Sequence, residues 1–426
     1  MIFQDVNWIR SNINKFSPDL RKLALEWYRP YRHLPCYLQK FFKRIRQSVR
    51  KIPVIVQVEP SVELQSCISQ TSKTSGCKVK KELPLIGSFT ATVNAKTLEK
   101  LVQDQNIQKI WHDGTIKAVL DIASPAVKAN AVWDRNITGK EIGVAVIDTG
   151  VYQHPDLSGR ITGFKDFVGN KTTAYDDNGH GTHVAGAIAS DGSRSDSLYR
   201  GTAPGCNVIG VKVLNSLGSG SLSTVIQGIQ WCLDNKELYN IRVINLSLGS
   251  TALQSYEEDP VCQAVEKAWV NGIVVCAAAG NSGPEPRTIS SPGIDPVVIT
   301  VGAIDDKNSS NFDDYFVAEY SGRGPTIDNF AKPDIVCPGT NIISLRSPSS
   351  TIDKQYKDAR VGENYMATPV CAGIAALMLE ADNSLKPDEI KDMLKQNAKP
   401  LPGISENSQG AGLADAAKSI ISVIKT

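Results

Sequence analysis

The sequence predicts an α/β protein built on a mainly parallel sheet, preceded by a small α+β unit and a basic helical arm. Five nearly continuous apolar runs follow Lys140: IGVAVID, NVIGVKVL, IRVINLSL, GIVVCAAA and VVITVGAI. They have strand length and are separated by stretches long enough for helices, such as 223–234 and 260–271. Strands apolar on both faces, joined by helical crossovers, imply a sheet covered on both sides. At 426 residues the chain exceeds one average domain. Its charge is unevenly divided: the first 50 residues hold eleven Lys or Arg against three Asp or Glu, while the whole chain carries +2. So balanced a total gives no global field for nucleic acid, and no such partner is expected.

In the arm, residues 1–50, Leu20, Leu23 and Trp27 recur at helical spacing before Pro30, and Leu38, Phe42, Ile45 and Val49 do so after Pro35. Two amphipathic helices follow. Their basic faces suit a membrane surface or an acidic partner, but packing on the body with Arg and Lys left in solvent is the simpler expectation. Residues 51–120 read as a small α+β unit, with IPVIVQV, LIGSFTATV and IQKIWH as strands and AKTLEKLVQD as a helix burying Leu98, Leu101 and Val102. A further helix is expected between 60 and 75. A Pro- and Gly-marked stretch then leads into the body, 125–426. The nine cysteines form an odd, scattered set without a C-x-x-C pair, which argues for buried free thiols rather than zinc or redox chemistry. With no secretory signal and no run of transmembrane length, a cytoplasmic location is expected and membrane association is not.

Ligands on parallel sheets bind at the carboxyl ends of the strands, and the unusual residues of this chain lie there. Asp148 ends VAVID before a turn that Gly150 permits. A strand-end Asp is often a cap, but it also suits a carboxylate that orients an imidazole. His180, in DDNGHGTHVAG, opens a helix of small residues that leaves it accessible. His183 shares its face, yet no Glu or third His completes a zinc pattern such as H-E-x-x-H, so a packed histidine is the expectation. Asn281 sits on a Gly-flanked turn in AAAGNSGP, where its amide suits a developing oxyanion. Gly218, Ser219 and Gly220, like Ser247, Leu248 and Gly249, form glycine-interrupted edges suited to pairing with an extended peptide. Neither has the Lys of a phosphate loop.

In order, IDTGVYQHPDL, NGHGTHVAG, NLSLGS, AAAGNSGP, SGRGPT, KPDIVCPGTNIIS, MATPVCAGIAALML and GAGLADAAK resemble the motifs of subtilisin-like serine proteases over about 125–420. The long intracellular alkaline proteases of that family match best. The resemblance implies a three-layer subtilisin-like fold and a ferredoxin-like propeptide-like domain that chaperones and inhibits its own peptidase. It also implies polypeptide substrates. By it Asp148 is the orienting acid, His180 the general base and Asn281 the oxyanion donor; 218–220 and 247–249 flank the substrate, and Ala279 with Gly280 walls the pocket for the residue before the cut. No cofactor is required. Some members bind calcium, and Asp156 in HPDL matches a ligand position there, although SDGSRSDSLYRG is not recognisable as the partner loop.

The family's third stretch reads Gly-Thr-Ser-Met-Ala-Thr-Pro; here it reads GENYMATP. Either Tyr365 stands at the serine position, or a short segment containing Gly-Thr-Ser is absent. Deletion is favoured, because RVGENY reads as the end of an upstream strand and the family helix resumes at Met366. Tyr365, with a phenol pKa near 10 and a rigid ring, is no substitute. Ser344, Ser347, Ser349 and Ser350 lie too far upstream, and no G-x-S-x-G elbow exists. The expectation is a serine endopeptidase by family that is inactive as written, or a peptide-binding pseudoprotease.

Overall fold

A computed structural model describes residues 6–28, 45–74, 76–83, 87–112, 123–307, 309–349 and 366–425. The chain divides into two compact units, Met1–Ile116 and Lys117–Thr426. In the first, strands β1 (Ile52–Val58), β2 (Cys77–Leu83), β3 (Ser88–Val93) and β4 (Ile107–His112) form an antiparallel sheet ordered β2-β3-β1-β4. Ile52, Val54, Val56 and Val58 alternate inward along β1. The arm contributes α1 (Asn7–Ser11) and α2 (Pro18–Glu26). Pro18 starts α2 and Ser17 caps it, accepting from Leu20 N at 3.4 Å. The helices α3 (Leu64–Ser72) and α4 (Ala95–Gln103) complete the unit.

The boundary drawn at residue 50 does not survive. Trp8, Ile9, Phe16, Leu20 and Trp27 are buried in one core with β1, β3, α4 and β4. Phe16 bridges Ile110, and Ser17 N donates to Ile110 O at 3.1 Å, so the arm covers the β4 edge. Of the basic residues there, Arg10 and Lys22 are exposed and Lys15 and Arg21 half-buried. The second expected arm helix is seen only at 45–49; the rest lies outside the described residues.

In the second unit an eight-stranded sheet runs β11-β10-β9-β8-β5-β7-β6, with β12 beside β10. The strands are β5 (Gly143–Asp148), β6 (Ile161–Asp166), β7 (Asn207–Lys212), β8 (Ile241–Leu246), β9 (Val274–Ala278), β10 (Ile299–Asp305), β11 (Phe316–Val317) and β12 (Ile335–Pro338). All pairings are parallel except β10 with β11. Every residue of β5 and β9 is buried, as unbroken apolar runs demand. Helices α5 (His180–Ala189), α6 (Leu222–Asp234), α7 (Pro260–Val270), α8 (Ala367–Ala381), α9 (Pro387–Asn397) and α10 (Ala416–Lys425) cover the sheet. The most apolar, α8, is buried from Ala367 to Leu379 and packs on β8, β9, β10 and β12.

Asp295, on the connection from β9 to β10, is fully buried. Its Oδ1 accepts from Val297 N at 2.8 Å, whereas Oδ2 has no partner among the described residues. Burial pushes this carboxyl up to about 6 against the opposing pull of the Val297 amide. The folded state therefore holds the proton more tightly than the unfolded chain. The resulting stability is present at low pH and is lost as pH rises through about 6. Asp295→Asn is expected to raise the unfolding temperature more at pH 8 than at pH 4.5, as thermal denaturation at the two pH values would read.

Candidate functional site

Because β9, β8, β5 and β7 are parallel neighbours, the loops after them share one rim of the sheet. Asp148, the last residue of β5, is completely buried, and Thr149 N donates to its Oδ1 at 2.6 Å. His180 is the first residue of α5, and Gly179 before it takes φ +110°, a left-handed conformation that glycine adopts without strain. A Cβ on Gly181 would lie 2.1 Å from the Gly150 carbonyl oxygen and 3.2 Å from Asp148 Cβ. Strand end and helix mouth therefore meet backbone to backbone, which only glycine at 181 allows. Across that contact His180 Nδ1 lies 2.8 and 2.9 Å from the two Asp148 carboxylate oxygens. A carboxylate only accepts, so Nδ1 carries the proton and Nε2 is the basic nitrogen.

The surrounding loops are tied to this pair. Asn178 Oδ1 accepts from His180 N at 3.1 Å, and Asn178 Nδ2 donates to Ser216 O at 3.1 Å, drawing the 215–220 loop to the histidine. Asn215 shapes that loop by accepting from Leu217 N and Ser219 N. Gly218, Ser219 and Gly220 are exposed. Ser247 is buried, Leu248 half-buried and Gly249 exposed. Cβ atoms on Gly249 and Gly280 would approach the Ser290 side chain, at 3.1 Å from Cβ and 2.0 Å from Oγ, so Ser290 joins the two predicted walls of one pocket. Ala279 and Gly280 are buried, while Asn281 is exposed on the turn after β9.

His183 is a packed histidine. One ring nitrogen, Nε2, donates to Ile342 O at 3.0 Å, and Nδ1 lies against Met366 Sδ. Burial, helped by the nearby His180, pushes its pKa down to about 4, so it is neutral near pH 7. Three residues that the sequence reading did not single out also shape the site. Lys212, fully buried on β7, donates to Thr149 O at 2.6 Å and Leu214 O at 2.9 Å and pairs with Asp177 at 2.7 Å. Asp176 and Thr149 form a second network beneath His180. The only signal for them was their place in the quoted motifs. Tyr365, the ungapped position of the nucleophile, lies outside the described residues.

The calcium expectation at Asp156 meets a different arrangement. Asp156 is buried, its Oδ1 accepting from Ser193 Oγ at 3.2 Å and Arg194 N at 3.1 Å, and its Oδ2 from Ser190 Oγ at 3.1 Å. The Arg160 guanidinium donates to the carbonyls of Ala189, Cys206 and Asp156. A calcium ion requires six to eight oxygen ligands; here the carboxylate faces donors and a cation holds the carbonyls. These residues do not fit calcium.

An acid–imidazole pair on the carboxyl rim of a parallel sheet, with exposed glycine-containing loops beside it, fits the framework of a serine endopeptidase. Residues 139–412 match the subtilase family, and the chain belongs to it. It is 46% identical over 434 residues to the serine protease AprX of Bacillus subtilis (strain 168), covering 97% of this chain and 98% of that protein. It is 32% identical over 373 residues to a thermostable alkaline protease of Halalkalibacterium halodurans, covering 87% and 92%. Subtilisin Savinase of Lederbergia lenta is 39% identical over 290 residues, covering 68% and 94%.

The backbone contact at Gly181 has a measurable consequence. Gly181→Ala is expected to destabilise the second unit by about 1–3 kcal/mol, as overpacking does, and to separate His180 from Asp148. Chemical denaturation and the His180 ring resonances would report the two effects.

Proposed function

We propose that this chain binds extended polypeptide in a subtilase cleft without cutting it. The observation that carries the reading is in residues 362–369, GENYMATP: between positions 351 and 366 there is no serine at all. In this reading Asp148 holds the His180 proton on Nδ1, Asn281 faces the peptide carbonyl, and the peptide lies along 218–220 and 247–249 against Ala279 and Gly280. The base is prepared, but no hydroxyl is present for it to activate. In subtilisin, a member of the same family, loss of the serine alone costs about 2 × 10⁶ in turnover.

The N-terminal unit belongs to the same proposal as the chain's own propeptide-like domain, here never removed. A cytoplasmic, reducing location is supported by the free thiols of the eight described cysteines. Among the described residues no helix is long and apolar enough to cross a membrane. A second reading, a gene that encodes the intact Gly-Thr-Ser segment, is favoured by the preserved Asp148–His180 pair and by the family helix that resumes at Met366. Resequencing that region decides between the two; an unchanged GENYMATP eliminates the second.

Expressed as written, the protein is expected to persist as one 46.1 kDa species with no cut near 115–126, to bind peptides at micromolar affinity, and to resist labelling by a serine-directed phosphonate. Covalent labelling would sink the first reading. Inserting Gly-Thr-Ser before Met366 is expected to restore turnover by roughly 10⁶. Because donors and Arg160 already occupy the surroundings of Asp156, chelation by EGTA is expected to leave the unfolding temperature unchanged; a drop of several degrees, reversed by calcium, would contradict this part.

A further inference from the structure

Asp176 is 1% exposed and accepts five hydrogen bonds. Its Oδ1 receives Thr149 Oγ at 3.0 Å, Asn178 N at 3.0 Å and Gly179 N at 2.8 Å. Its Oδ2 receives Thr182 N at 2.9 Å and Thr182 Oγ at 2.6 Å. Each threonine hydroxyl, having donated its proton to Asp176, accepts from the other side of the junction. Thr149 Oγ accepts from Gly181 N at 2.9 Å, and Thr182 Oγ accepts from Tyr152 N at 3.0 Å. The backbone of Asp176 also bridges Gly150, and its carbonyl accepts from Ser347 Oγ at 2.6 Å.

These bonds close a ring. Thr149 N holds the Asp148 carboxylate, Thr149 Oγ is held by Asp176, Asp176 holds Gly179, Gly179 precedes His180, and His180 returns to Asp148. We propose that Asp176 is a positioning residue for the Asp148–His180 pair, acting through the Thr149 and Thr182 hydroxyls. A neutral side chain cannot replace it. Both oxygens must accept, and an asparagine would direct its NH₂ at donors, leaving buried groups unsatisfied. The carboxylate also lies at the start of α5, where the helix dipole favours a negative charge. The other charged or titratable groups here are Asp148, His183 and the Lys212–Asp177 pair.

The proposal rests on reading His180 as the family's general base, but its test needs no turnover. The probe is ¹H–¹⁵N NMR of the full-length chain, following the downfield Nδ1 proton of His180 and its titration, with circular dichroism as the check on folding. Asp176→Asn is expected to abolish the downfield signal and to lower the pKa of His180 measurably. Thr149→Val, which removes one hydroxyl at nearly constant volume, is expected to weaken the signal, and Thr149→Ser to restore it. If Asp176→Asn does not fold, the two Thr149 variants carry the test. A folded Thr149→Val protein with the His180 signal and titration of the parent overturns the proposal. So does a Thr149→Ser protein that behaves like Thr149→Val. Because neither result depends on cutting or binding peptide, failure here leaves the proposed function standing, and the reverse.

Discussion

The candidate site depends on one close approach, that of the Gly181 backbone to the Gly150 carbonyl. A parallel sheet delivers Asp148 to its carboxyl rim, but a helix normally stands a full side chain away from a strand. Here the absence of a Cβ at 181 lets the mouth of α5 settle on the end of β5, and only then does Nδ1 of His180 come within 3 Å of both carboxylate oxygens. Gly179, with its left-handed φ, turns the chain into the helix at that point. The motif GHGTH is thus first a statement about backbone contact, and the histidine is useful because the glycines around it are small.

Packing this tightly removes water, and every charged group left inside needs a partner. Asp148, Asp176 and Lys212 are all buried, and each is surrounded by fixed donors or acceptors. In a medium of low polarisability such bonds are strong, and breaking one leaves a buried group uncompensated. The same network therefore gives stability and geometry together. Asp295 is a buried carboxyl with one oxygen unpartnered among the described residues, and burial pushes it up to about 6.

The five strands of the sheet core were legible because double burial leaves unbroken apolar runs. β2, CKVKKEL, was not: it is a sheet edge, and its lysines leave no apolar run to mark a strand. Short β12 and polar β6, ITGFKD, gave no periodicity to read. The N-terminal arm was set apart on charge, although Trp8, Phe16, Leu20 and Trp27 carry the information that it belongs to the first core. At the site, Asp148, His180 and Asn281 could be named because a motif marks them. Asp176 could not, since an Asp in DDNG reads as a turn former and its role exists only once β5 and α5 are brought together. Asp156 illustrates the converse, a motif position whose bonds to Ser190, Ser193 and Arg194 the motif does not foretell.

Loss of a nucleophile does not by itself undo such a site. The edges proposed to hold peptide and the Asn281 turn lie on loops that follow β7, β8 and β9, and the Asp148–His180 pair is fixed by the junction of β5 and α5. The helix that follows GENY is still anchored from the other side: Met366 lies against His183 on α5, and α8 is buried along its length under the sheet. In the proposed reading, binding and chemistry are assigned to different parts of the fold, the first to loops that follow strand ends and the second to a few residues ahead of one helix. A chain that lacks only the latter retains the Asp148–His180 pair, which is the physical reason a subtilase without its serine is proposed to hold peptide.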